Sequence, residues 1–105
     1  GQQSLILETL GKPHEAAAVS DRSIALRRRR LAAAPGDVNL RRDLAVGLAS
    51  HADIVAQAGD KAAACRAALD GAALFAEMRR AGDLGEKDMR IDVPRLDAAA
   101  RRHCG

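Results

Sequence analysis

The sequence predicts an all-α protein, and three observations carry that prediction. Alanine supplies 24 of the 105 residues, with Leu and Arg, the next-best helix formers, also plentiful. Aromatic residues, which favour strands, are nearly absent: Phe75 stands alone, with no Trp and no Tyr. Glycines also punctuate the chain evenly. Gly11, Gly36, Gly59 and Gly82 lie 25, 23 and 23 residues apart, and the last three are each followed by Asp.

Length and composition bound the rest. The chain is as long as one domain. A hydrophobic fraction of 48% against 30% charged residues excludes a wholly disordered polypeptide. No run of about 18 uncharged apolar residues could cross a membrane, so no membrane partner is expected. The start, Gly1-Gln2-Gln3, lacks the basic residues and apolar core of a secretory leader. Opening on Gly rather than Met, the chain is expected to be a segment of a longer protein. The net charge is +3, and Arg outnumbers Lys 14 to 3. That balance permits an acidic partner. A dedicated nucleic-acid binder would carry a larger basic excess and aromatics for stacking, so nucleic acid is not the expected partner. Two cysteines, Cys65 and Cys104, lie far apart with no CxxC, which fits a reducing, cytoplasmic compartment.

The breakers divide the chain into elements. A glycine ends a helix by entering the left-handed region, and the following Asp caps the next helix by accepting from its free N–H groups. Pro13 suits a first helical turn. The spacing predicts helices over roughly 3–10, 13–33, 38–57 and 61–80, joined by turns short enough to make successive helices antiparallel neighbours. Asp83-Leu84-Gly85-Glu86 has the form of a capping box. Asp92, with Pro94 in the first turn, predicts a last helix ending near Arg102.

The helix faces agree with this division. Leu40, Leu44, Leu48 and Val55 form a stripe on 38–57, with Gly47 and Ile54 beside it. Ala64, Ala68, Gly71, Ala72, Phe75 and Met78 form the stripe on 61–80. On 13–33, Ala16, Ala17, Val19, Ile24, Leu26 and Leu31 cover an arc of roughly 200°, wide enough for more than one packing neighbour. A shift of 48 residues superposes Gly11 on Gly59, Ala16 on Ala64, Leu26 on Leu74, Ile6 on Ile54 and Leu7 on Val55. A period in this range suggests stacked helical hairpins.

Two segments carry a family resemblance: Ile24-Ala25-Leu26-Arg27-Arg28-Arg29-Arg30-Leu31-Ala32-Ala33-Ala34-Pro35-Gly36-Asp37, and Arg42-Asp43-Leu44-Ala45-Val46 through Ala52-Asp53-Ile54-Val55-Ala56-Gln57-Ala58-Gly59-Asp60. In them the sequence resembles the tetratricopeptide repeat family, in a bacterial variant with long helices. The small positions of the family pattern fall on Ala52, Ala64 and Gly71, whereas its large aromatics are missing. The resemblance implies an antiparallel array of hairpins over residues 1–83, its first helix truncated, with a turn and a capping helix over 84–105. It also implies a non-catalytic module that docks a peptide, a helix or a second copy. The first helix of each family hairpin lines the groove, which places Arg42, Val46, Ala49, Asp53 and Gln57 on the partner-binding surface. The helical wheel independently sets Arg42, Val46, Ser50, Asp53 and Gln57 opposite the Leu stripe.

Other residues are weighed against ordinary structural roles. Arg27, Arg28, Arg29 and Arg30 could form an anion patch, but positive charge at a helix end also complements the helix dipole. Their use in accessory nucleic-acid binding is the alternative function, and a structural spacer beside a catalytic domain of the parent protein is a third. His51, on the Leu stripe, is expected as an interface histidine with a ring nitrogen satisfied, because no metal ligand stands at i+3 or i+4. Cys65 reads as a small hydrophobe, and His103-Cys104 as a fraying end. No activated nucleophile, phosphate loop or metal motif is present, so no enzyme activity, cofactor or metal is expected.

Overall fold

A computed structural model describes residues 2–105, with side chains from Lys12 onward. These residues contain no strand. Four helices follow one another: α1 (Gln2–Ala33), α2 (Val38–Gln57), α3 (Lys61–Arg80) and α4 (Val93–Cys104). A π-helical turn, Asp88–Asp92, leads into α4. The all-α expectation holds, and α2 and α3 span the predicted ranges.

The turns show why. Asp37 caps α2, its Oδ1 accepting from the Asn39 N–H at 2.9 Å and the Leu40 N–H at 3.2 Å. Asp60 caps α3 by accepting from the Ala63 N–H at 2.9 Å. Gly59 and Gly82 take φ of 93° and 76°. Each supports a Schellman closure: the Asp60 N–H returns to the Val55 carbonyl, and the Asp83 N–H to the Met78 carbonyl. Gly36 differs, because it does not enter the left-handed region. Pro35 instead sets a β-turn closed by the Asp37 N–H on the Ala34 carbonyl.

Three predicted boundaries moved. The break at Gly11–Pro13 is absent, and α1 runs through Pro13 as one helix. His14 and Ala17 face the last turn of α2, so Pro13 sits where α1 leaves its neighbour, and the single N–H it lacks is lost there. The box read at Asp83–Glu86 lies two residues on: Gly85 is the cap position, and the Asp88 carboxylate reaches back to its N–H at 2.9 Å. Asp92 does not cap α4; it is helical and buried, while Pro94 does lie in the first turn.

α2 is the central element, touching α1, α3 and α4. One core cluster joins Ile24 of α1, Leu44, Leu48 and Ala52 of α2, Ala67 and Ala68 of α3, and Ala99 of α4. A second joins Ala45 and Ala49 of α2, Phe75 and Met78 of α3, and Leu96 of α4. α4 therefore packs on both members of the α2–α3 hairpin. It is also tied there covalently. Cys65, in the first turns of α3, and Cys104, the last residue of α4, form a disulfide with Cα atoms 4.8 Å apart. The expected isolated Cys65 and fraying His103-Cys104 are both replaced by this bond.

Gly71 is the notch that lets α4 in. A Cβ added there would stand 2.6 Å from Leu96 Cδ2 and 3.2 Å from the Ala45 carbonyl oxygen. Leu96 is buried, so it would have to shift within the core, and the Ala45 carbonyl is backbone. Gly71→Ala should therefore lower unfolding free energy by about 1–3 kcal/mol in urea titrations. Gly36→Ala, whose Cβ would meet nothing within 4 Å, should be neutral or stabilise by up to about 1 kcal/mol.

Candidate functional site

The surface expected to receive a partner is largely closed by the chain itself. Arg42 is half-buried and turned onto the segment before α4. Its Nε donates to both carboxylate oxygens of Asp88, at 2.9 and 3.1 Å, and its Nη2 donates to the Asp83 carbonyl at 3.2 Å. This guanidinium holds the Asp88 carboxyl below its ordinary range against the opposing effect of burial. Ala49 is a core residue, 2% exposed. Asp53 receives the Arg102 guanidinium at 2.9 Å and His103 Nε2 at 2.8 Å, both from α4. Burial alone would raise the Asp53 pKa, but those two hydrogen bonds outweigh it and lower the value. Gln57 stays exposed at the end of α2. Arg42, Ala49 and Asp53 thus lie toward α4 and the segment before it, a neighbour that a helical wheel cannot show.

Asp53 and Gln57 line an open depression of about 490 Å³ with Arg102 and His103 of α4, and Val46 faces a larger one. An open trough of about 720 Å³ runs between α1 and α2. Its α1 wall is Lys12, Glu15, Ala16, Val19, Ser20, Ser23, Ile24 and Arg27; Val46, Gly47, Ser50 and Ile54 form the α2 side. Val19 is 58% exposed. Leu26, further along α1, is exposed too. The wide apolar arc of α1 thus has more apolar surface than α2 covers. Val19 reads from sequence as a packing residue, and the surplus width of that arc is the signal that marks it.

Next to the trough, His51 locks α1 to α2. It is buried, with Nδ1 2.6 Å from Ser20 Oγ and Nε2 3.4 Å from Asp21 Oδ1. This geometry fits a neutral ring accepting the Ser20 O–H at Nδ1 and turning Nε2–H toward Asp21. The expected interface role holds, with both nitrogens occupied. Ser20 lies mid-helix, where its backbone N–H is committed to the helix and offers no oxyanion donor.

The arginine run is divided. Arg27 Nε lies 3.5 Å from Asp43, and its guanidinium covers Gly47. Arg28 reaches Asp70 of α3 at 3.3 Å. Arg29 and Arg30 are exposed, with no ion pair among the described residues. The four side chains therefore do not converge into one anion site. No protein-family model, curated protein or solved structure matches the chain. Among the described residues no three His, Cys, Asp or Glu side chains gather as metal ligands, and no helix is long and apolar enough to cross a membrane.

Burial lowers the His51 pKa from its ordinary 6.5; Arg28 acts in the same direction, and Asp21 opposes both. A depressed imidazole pKa means the unfolded chain binds the proton more readily. Stability should then be full above the ordinary value and fall as pH drops through 6.5. It should level off below the folded-state pKa. Chemical denaturation of wild type and His51→Gln between about pH 8 and 5 isolates this contribution, and the variant should show the shallower slope.

Proposed function

We propose that the chain is a short, tetratricopeptide-like helical array that acts as a non-catalytic protein-interaction module. Its docking surface is the α1–α2 trough, and its partner contributes an amphipathic helix or peptide. The single observation that carries this reading is Val19, a large apolar side chain on the wall of an apolar trough with nothing covering it. Val46 and Ile54 extend the apolar strip on the α2 side, and Ser20, Ser23 and Ser50 supply the polar groups that would orient a bound segment. The hairpin reading is supported by the antiparallel succession of α1, α2 and α3 and by a final helix seated across the last pair. Small residues at Ala52, Ala64 and Gly71 lie in the interior, as the family pattern requires.

The compartment we favour is the cytoplasm. There a disulfide is a transient, sensing bond and not a permanent staple.

Selection from a library of helical peptides tests the docking reading. Enriched peptides should carry an apolar stripe, and Val19→Glu should weaken their binding by about tenfold or more. Because Val19 is exposed, the variant should keep the wild-type melting temperature. Arg29→Ala/Arg30→Ala should leave peptide binding unchanged. The opposite pattern, steeply salt-dependent binding of duplex lost in the arginine variant, would favour accessory nucleic-acid binding instead.

A further inference from the structure

We propose that α4 is a releasable occupant of the α2–α3 face, that the Cys65–Cys104 disulfide is its latch, and that reduction frees this face for a helix of α4's own pattern. This goes beyond the trough and does not depend on it.

The latch stands at the end of α4, and a hinge stands at the other end. Before α4, the π-helical turn interrupts the α-helical register, with the Val93 N–H bonded to the Asp88 carbonyl. Asp88 is fixed to Arg42 of α2. The hinge therefore stays anchored when the far end moves. It also carries a penalty. Asp92 is 6% exposed, and its Oδ2 has no hydrogen-bond partner. The nearest cation, Lys87 Nζ, is 3.9 Å away. A buried carboxylate oxygen left in this state destabilises the turn that carries α4.

What holds α4 down otherwise is modest. It has 12 residues, and only Leu96 and Ala99 are buried. Val93 and Ala100 pack half-buried against the two clusters, and its polar ties are the Arg95 guanidinium on Ser50 Oγ at 3.1 Å and the Arg102–His103 pair on Asp53. A helix this short depends on its tertiary contacts to stay formed. The cross-link restricts its opening.

Cys104 is exposed, so a thiolate can reach it. An external dithiol attacks Cys104 Sγ, forming a mixed disulfide and releasing Cys65 as a thiolate that takes up a proton. The second thiol of the reductant then closes on its own sulfur and releases Cys104. The protein bond gains two electrons and two protons, and the dithiol is oxidised to a disulfide.

The seat defines its ligand. Gly71 leaves room for a Leu, the neighbouring Ala-lined seam takes a small residue three positions later, and Ser50 and Asp53 accept from basic side chains. The partner is accordingly a short amphipathic helix with Leu and Ala at i and i+3 and arginines on its flanks.

Two measurements on the full chain test this. Hydrogen exchange is followed in the oxidised protein, the dithiothreitol-reduced protein and Cys65→Ser/Cys104→Ser. Exchange across α4 should rise about tenfold or more on loss of the bond, with α2 and α3 unchanged. Unchanged α4 protection, or loss of protection across all three helices together, would overturn the latch. In the second measurement, Cys104→Ser leaves Cys65 free. A synthetic peptide of residues 92–105 is offered in glutathione buffer beside a scrambled peptide with the same cysteine. The native order should couple to Cys65 about tenfold faster, read by mass. Equal coupling of the two peptides would show that the vacated face does not select an α4-like helix, and the proposal would fail.

Discussion

How closely α2 and α3 approach each other sets where α4 can sit and how the core is filled. With one aromatic residue and an alanine-rich interior, the core cannot be filled by bulk, so the helices must come near. They do so where Ala45 faces Gly71: the Ala45 carbonyl oxygen would lie 3.2 Å from a Cβ on Gly71. The same missing side chain admits Leu96 of α4, and around it Phe75 and Met78 fill the remaining space. Larger residues in this seam would push α2 and α3 apart and lift α4 from both. The turns that join α1 to α2 and α2 to α3, residues 34–37 and 58–60, are correspondingly short.

The second organising element is electrostatic. Arg42 ties the centre of the array to the segment before α4, meeting Asp88 through Nε and the Asp83 carbonyl through Nη2. Asp88 is 3% exposed, so its charge is tolerable only because Arg42 and the Gly85 N–H satisfy it. The pair is thus a registration device: it fixes where the π-helical turn sits, and that turn aims α4 across the hairpin. At the far end, Asp53 collects Arg102 and His103 and sets the rotation of α4 about its axis.

Much of this was legible from the sequence, and the divide follows the range of the interaction. Asp37 and Asp60 cap as expected, and Gly59 and Gly82 take the left-handed conformation, because caps and closures are settled within a few residues. The stripes through Leu44, Leu48, Ala64, Ala68, Phe75 and Met78 became the core because helical period alone sets which residues share a face. Pro13 misled, because a proline signals a boundary only where the chain has reason to turn. The polar face of α2 misled for a different reason. Arg42 and Asp53 have the character of exposed residues, yet their partners lie 46 and 50 positions away in sequence. Nothing in a helical wheel distinguishes an arginine that meets solvent from one that meets a buried aspartate. The disulfide was hidden in the same way: 39 residues separate its cysteines, and only the return of α4 along α3 brings them together.

The two faces of α2 now differ in a way that bears on recognition. Toward α4, the apolar residues Ala45 and Ala49 are sealed, and Arg42 and Asp53 are paired within the same chain. Toward α1, Val46 and Ile54 are only half-buried, and Val19 stands open across from them. The chain has spent its own helix on one side and left the other uncovered. His51, held by Ser20 and Asp21 beside the open side, fixes the angle between α1 and α2 and with it the width of the trough. A surface whose width is set by a buried hydrogen bond, and not by a mobile loop, is already shaped before any ligand arrives. Binding there would entail little ordering of the protein itself.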